Sequence, residues 1–377
     1  MATTVGGRPP RRWRRYAWLA LALGLVLLAV LALGPRVVPR LVASPLPSVP
    51  QSPLALQAWI DAREAATPGL RKDTRARIVW ADPAHPARSS CAIVYLHGFS
   101  ASQGEGAPAH ERLARVFGCN LYLPRLPGHG LEAADALRGI DAQRLLDASA
   151  EALAVGQALG RRVVLIGTSM GGALAVQTAA AHPRQVQALL LWSPLVHERD
   201  DQLQPLLWPW GEQLLLWSKN GGDPVLRHPA GSAYWADAIH VDGYRALVAL
   251  SRGGMLPAVF SRIRMPVFLG YFYRDEQHQD PTVSVPAMRA MFAQLGTPPA
   301  AREMVDFPQA DNHVIASPLR SKSAPQVFAA SCQFLADKAG LTQAPGAPDC
   351  ANAWSSYAGL PVVADHVAGT GHGGGGG

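Results

Sequence analysis

Residues Arg162–Ala181, RVVLIGTSMGGALAVQTAAA, join two patterns of opposite kind. Val163–Ile166 is a short, unbroken apolar run rich in β-branched residues, too short for a helix, and reads as a buried parallel strand. Gly172–Ala181 reads as a helix, stopped by His182-Pro183. Between them lies Gly167-Thr168-Ser169-Met170-Gly171, a G-x-S-x-G turn from strand to helix. Such a turn holds its serine on a strained backbone with the hydroxyl projecting, and glycines are needed where a Cβ would collide. The helix that starts beneath the serine favours negative charge developing beside it. Ser169 is therefore the candidate nucleophile; the plainer alternative is a serine that only caps the helix.

Outward from this turn, strand and helix patterns alternate. Strands are predicted over Arg75–Trp80, Ala92–Leu96, Asn120–Leu123, Val186–Trp192, Pro266–Tyr271 and Arg302–Phe307. Helices are predicted over Pro53–Ala66 with Ser52 as cap, Ala109–Phe117, Asp141–Leu159 with Gly160 at the C′ position, Pro286–Leu295 and Ala324–Lys338. This is the signature of an α/β fold: a mostly parallel central sheet with helices on both faces. The alternation lapses from Ser193 to Arg262, which reads as a helical insertion. Its aromatics, Trp208, Trp210, Trp217, Tyr234 and Trp235, are candidates to line an acyl pocket or simply to pack the insertion on the sheet.

A serine hydroxyl needs a base to take its proton, and the base needs an orienting carboxylate. When the serine sits on a strand-to-helix elbow, the chain order is serine, acid, histidine. That order excludes His97 and His129 and selects His313; His366 and His372 lie in the tail. The acid follows Pro266–Tyr271, where Asp275, Glu276 and Asp280 stand. Asp280-Pro281-Thr282-Val283 has the usual D-P-x-V form and favours Asp280, with Asp275 as the alternative. Two N–H groups must face the developing oxyanion. They are expected at Met170, just after the serine, and at Phe99, where Gly98 lets the backbone turn; His97 is expected to brace that loop.

HGFS at 97–100, PRLPGHG at 124–130, GTSMGG at 167–172, DPTV at 280–283 and NHVI at 312–315 occur in the order seen in α/β-hydrolases. From about Arg75 to Lys338 the chain resembles the carboxylesterase and monoacylglycerol-lipase branch of that superfamily. The branch often has an aspartate where Arg125 stands, a position outside the triad. The resemblance implies a cap, about 194–262, between the sixth and seventh core strands, an ester or lipid substrate, and no cofactor. Thioesterase or acyltransferase chemistry on the same triad, or a membrane-tethered binding module without catalysis, are the alternatives. Neighbouring parallel strands would set Cys91 level with Cys119, and Cys332 lies near Cys350 in sequence. Disulfides Cys91–Cys119 and Cys332–Cys350 are therefore expected if the body is exported, and four reduced thiols otherwise. No C-x-x-C or paired-histidine spacing suggests a metal.

The net charge is +7. Arg8, Arg11, Arg12, Arg14, Arg15, Arg36 and Arg40 all precede the first acidic residue, Asp61, and account for the whole of it. The neutral remainder argues against a nucleic-acid partner. Residues 1–16 read as a basic cytoplasmic segment and 17–34 as a transmembrane anchor, with Tyr16 and Trp18 at its leading edge. The rival is a signal peptide, whose best cleavage match, Ala32-Leu33-Gly34, would leave Pro35 first. The orientation expected is N-terminus in, body outside. Residues 35–53, with six prolines, are expected to form an extended spacer, 54–340 the folded domain and 341–377 a flexible tail.

Overall fold

A computed structural model describes residues 11–229 and 232–357. The chain forms two compact units, one made of the residues up to Val38 with Gln204–Asp223, the other of Pro39–Leu203 with the residues from Pro224 on. In the first, helix α1 (Arg11–Leu33) is long and apolar enough to cross a membrane, and none of its apolar stretch is buried. The helix begins before the expected anchor and includes the basic run. A second helix of this unit, Gly211–Asn220, follows a turn at Pro205–Trp208. The Trp210 N–H donates to Pro35 O at 2.9 Å, and its indole N–H donates to Val30 O at 2.8 Å.

The body is built on strands β1 (Arg77–Val79), β2 (Ser89–Leu96), β3 (Asn120–Leu123), β4 (Gly160–Thr168), β5 (Ala188–Trp192), β8 (Val267–Tyr271) and β9 (Arg302–Asp306), ordered β1-β3-β2-β4-β5-β8-β9. β6 (Val225–Arg227) and β7 (Ala238–His240) form a separate antiparallel pair. Only β1 runs antiparallel in the main sheet. Helices α2 (Pro53–Ala65), α3 (Ala109–Phe117), α4 (Ala142–Leu159), α5 (Met170–Ala181), α7 (Val241–Ala249), α8 (Pro257–Phe260), α9 (Val285–Ala293), α10 (Ala324–Asp337) and α11 (Ala353–Ser356) accompany it, α6 being Gly211–Asn220 of the other unit.

Successive strand residues point to opposite faces, so the unbroken apolar runs serve two layers. Ile93, Tyr95, Val164, Ile166, Leu190 and Trp192 pack with Leu113, Phe117, Phe328 and Phe334 of α3 and α10. On the other side Val94 and Val163 close on Gly156 of α4. Full burial of each such large side chain stabilises by about 1.5–3 kcal/mol.

Several expectations need correction. Gly160 is not a left-handed helix cap: its φ is −146°, and it opens β4. A Cβ there would lie 2.3 Å from Ala92 N, so closeness to β2 is what requires glycine. Ser52 stands at the start of α2 but its side chain makes no capping bond. The insertion follows the fifth of seven strands, because a single strand precedes the one ending in HGFS.

Nor is the whole region after Gly340 loose. Leu341, Cys350 and Ala353 are buried, and Trp354 packs against Phe328 and beneath Arg112. The rest of the expected tail, 358–377, with His366 and His372, and the first ten residues lie outside the described residues. The cysteines pair as Cys91–Cys119 and Cys332–Cys350. The register that sets Ala92 opposite Asn120 puts the first two side by side, and Cys350 ties the tail to α10.

The proline-rich tract also departs from a free spacer. The Val42 N–H donates to Gln143 Oε1 at 3.0 Å and the Ser44 hydroxyl to Asp147 Oδ1 at 2.6 Å. His182 Nε2 donates to the Ser44 carbonyl at 2.8 Å. From Pro39 onward the tract is thus bonded to α4 and to the end of α5. Arg125, outside the family pattern, serves the structure instead, since its guanidinium grips Glu64 of α2 at 2.9 and 3.0 Å, both groups largely buried.

Candidate active site

The elbow sits at the C-terminal end of β4, a central strand. Ser169 has φ 54° and ψ −118°, outside every relaxed region for a side-chain-bearing residue. The surroundings hold it there. Its N–H donates to Trp192 O of β5 at 3.1 Å, and its carbonyl accepts from Gly172, Ala173 and Leu195. A Cβ on Gly167 would meet Gly171 O at 2.4 Å, and one on Gly171 would meet Leu96 O at 1.9 Å. The two glycines are thus required by close backbone contacts between β4, α5 and the end of β2.

Asp280 and His313 come from the loops after β8 and β9. His313 Nδ1 lies 2.8 Å from Asp280 Oδ2 and 3.0 Å from Oδ1. Asp280 is fully buried, and its Oδ1 also accepts from the N–H groups of Thr282 at 2.9 Å and Val283 at 3.0 Å. Burial opposes its ionisation, but the His313 ring and these donors outweigh it and hold the carboxyl below its usual range. For His313 burial opposes the charged form, yet the Asp280 carboxylate raises the imidazole above its ordinary value, with a smaller contribution from Glu105. His313 Nε2 is buried and makes no hydrogen bond among the described residues. Asp275 is exposed and used elsewhere: it accepts from the backbone of Gln277 and His278 and pairs with the His278 ring.

Ser169, His313 and Phe99 line one cavity of about 520 Å³, together with Glu105, Leu195 and Tyr244. This volume suits a small organic molecule. Phe99 comes three residues after the end of β2 and lines the cavity with Ser169, and Met170, directly after the serine, is the first residue of α5. Neither backbone N–H donates to another group among the described residues. His97 is fully buried: its Nε2 accepts from the Leu126 N–H at 3.2 Å, and its Nδ1 donates to Gly98 O at 3.0 Å. Burial, then the neighbouring His129, push its pKa well down, so it braces the loop as a neutral ring. Of the five aromatics singled out in the insertion Trp235 alone lines the cavity, beside Tyr244 from the same insertion, which was not singled out. Tyr234 is buried against Gly104, and Trp208 and Trp217 are exposed.

Sequence reasoning missed Glu105. It is buried at 2% exposure, accepts from the Gly98 N–H at 2.6 Å, and meets the Tyr95 hydroxyl at 3.0 Å. It thus fixes the backbone just before Phe99. Burial raises its carboxyl from 4.5 to about 7, against the lowering effect of the Gly98 N–H and His313. The signal in the sequence is faint: one acid in the Gly-rich stretch after HGFS. A raised carboxyl pKa costs stability as pH rises from the unfolded value to the folded one, here from about 4.5 to about 7. Glu105→Gln should therefore be more stable than the parent at pH 8, by up to about 3 kcal/mol, with the difference vanishing near pH 4. Urea unfolding at both pH values measures this, and a variant that loses stability at pH 8 contradicts it. Arg199 and Glu198 were missed as well: the Arg199 guanidinium donates to Asp280 O at 3.2 Å, and Glu198 bridges Val283, so the start of the insertion steadies the acid's turn.

The family described as serine aminopeptidase, S33, matches residues 87–224, which include Ser169 but neither Asp280 nor His313. A pimeloyl-[acyl-carrier protein] methyl ester esterase of Chromobacterium violaceum is 42% identical over 99 residues, 26% of this chain and 35% of that protein. The chain thus matches about a third of that relative's length. Among solved structures, one from work on the metagenome-derived lipolytic enzymes LipS and LipT superposes with a TM-score of 0.57 at 16% identity, over 71% of this chain and 99% of that one. A Paleococcus ferrophilus monoacylglycerol lipase gives 0.52 at 15% identity, over 71% and 98%. At such identities the likeness is one of fold.

Proposed function

This chain has the α/β-hydrolase fold, and on that premise we propose that it is a serine hydrolase of carboxylic esters, a carboxylesterase or a monoacylglycerol-type lipase. The observation that carries the reading is the buried Asp280–His313 pair opening on the same cavity as Ser169 on its strained turn. Ser169 Oγ attacks the acyl carbon while His313 Nε2 takes its proton. Asp280, bonded at Nδ1, fixes the ring's tautomer and stabilises the imidazolium. The N–H groups of Phe99 and Met170 hold the oxyanion. His313 then protonates the leaving alcohol, and a water activated by the same nitrogen frees the acid. The cavity wall carries charged groups, Glu198, Arg199, Asp200 and Arg320, beside apolar ones such as Leu195 and Val314, which suits an ester with a polar end.

The same proposal extends to the cell. The basic residues in the first turns of α1 support an N-terminus held in the cytoplasm, and the two disulfides support a body on the outer side of the membrane. A membrane-impermeant fluorophosphonate tests both parts. The wild type should be labelled on intact cells, and Ser169→Ala should not be labelled at all. A folded wild type that stays unlabelled even in detergent extract sinks the hydrolase; labelling only after lysis sinks the orientation and leaves the chemistry standing.

A further inference from the structure

The unit that contains α1 carries a feature that hydrolysis does not use. Segment 204–223 exposes three large apolar side chains, Trp208 at 57%, Leu214 at 58% and Trp217 at 76%. Leu214 and Trp217 are three residues apart and share a face of α6. Exposed tryptophans on a soluble surface are unfavourable, whereas at a lipid–water boundary the indole's apolar body and polar N–H are both satisfied.

The contacts within the unit fix the depth of this patch relative to α1. The Trp210 indole donates to Val30 O, and its backbone N–H donates to Pro35 O. The same ring lies against Gly34, where a Cβ would be 2.2 Å from Nε1. Val30 is three residues from the helix end at Leu33, so the segment is attached within about 5 Å of that end along the axis. The charge-free run Ala17–Leu33 spans about 25 Å as a helix, against about 30 Å of bilayer hydrocarbon. A helix that short draws its flanks into the boundary layer. Gly34-Pro35 and whatever is bonded to them then lie at headgroup level.

We propose that residues 204–223 form a second membrane contact, an interfacial segment in which Trp208 of the turn and Leu214 and Trp217 of α6 insert among phospholipid headgroups and upper acyl chains beside the end of α1. The occupant is the bilayer rather than a partner protein, because the segment that carries the patch is bonded through Trp210 to the end of the one helix among the described residues that is apolar enough to cross a membrane. Lys219, exposed and 140–160° around α6 from the two apolar residues at about 100° per residue, is left on the water side.

The test uses the full-length protein in vesicles of phosphatidylcholine with phosphatidylglycerol. Leu214→Cys, Trp217→Cys and, as reference, Lys219→Cys are made singly and labelled with a nitroxide; the four native cysteines are paired. Collision with oxygen, which concentrates in lipid, is compared with collision with a neutral nickel chelate, which stays in water. The proposal expects the oxygen-to-nickel ratio to be several-fold higher at 214 and 217 than at 219. Equal ratios at all three sites mean the patch stands in water and overturn it. Protection from both reagents at 214 and 217 means protein covers the patch, and overturns it equally. No arm depends on hydrolysis, so the result stands apart from the proposed activity.

Discussion

Asp280→Asn is expected to lower kcat about 10⁴-fold with little change in KM, whereas Asp275→Asn leaves both within about twofold. The asymmetry follows from what each carboxylate touches. Asp280 is fully buried and holds His313 Nδ1, so an amide there both removes the charge that stabilises the imidazolium and can present its NH₂ to the ring, favouring the wrong tautomer. Asp275 is spent on its own turn and on His278. The pH profile supplies an independent readout. The base must be neutral to act, so kcat/KM falls as pH drops through the His313 pKa. Because the Asp280 carboxylate and, less, Glu105 raise that pKa against the effect of burial, the acid limb of the wild type should lie above the ordinary imidazole value of 6.5. Removing the Asp280 charge should move the residual activity's acid limb to lower pH, and Glu105→Gln should move it the same way by less. A limb that stays put in Asp280→Asn, or a crippled Asp275→Asn, would assign the acid wrongly.

The second large effect is structural. Gly171→Ala should destabilise the body by about 3 kcal/mol or more and abolish activity in whatever remains folded. The added Cβ would fall 1.9 Å from Leu96 O and 2.7 Å from His97 O. Both obstacles are backbone, Leu96 at the end of β2 in register with Gly167 of β4 and His97 just after it, and neither can swing aside as a side chain would. Relief requires α5 to lift off the sheet, which moves Met170 N–H, the proposed oxyanion donor, away from the serine. Thermal or urea unfolding of the variant measures this; a loss within about 0.5 kcal/mol, the range of an ordinary surface change, would show that the elbow yields more readily than its contacts imply.

Much of this architecture is legible in the chain because its determinants are local. Unbroken β-branched runs such as Val163–Ile166 can only be sheet interior, and the glycines around Ser169 mark a turn that tolerates no side chain. The acid is harder, since Asp275 and Asp280 differ not in type but in which of them the β8–α9 loop buries against His313. Glu105 is invisible for a related reason: its neighbours in sequence are small and polar, and its partners Tyr95 and Gly98 reach it only once the loop has folded back on β2. Gly160 misleads because a glycine after a helix usually marks a left-handed cap, while here distance to the next strand requires it. The ring of Trp354 and the Cys332–Cys350 link hold a polar tail that composition alone would leave loose.

The way residues 39–50 are bound sets where a water-soluble derivative can begin. A truncation at the first residue of α2 would remove the strap along with the anchor, leaving Gln143, Asp147 and His182 to find water in place of Val42 and Ser44, and uncovering the ground beneath Val49, itself only 6% exposed. Starting instead at Pro39 discards α1 and keeps the strap fastened.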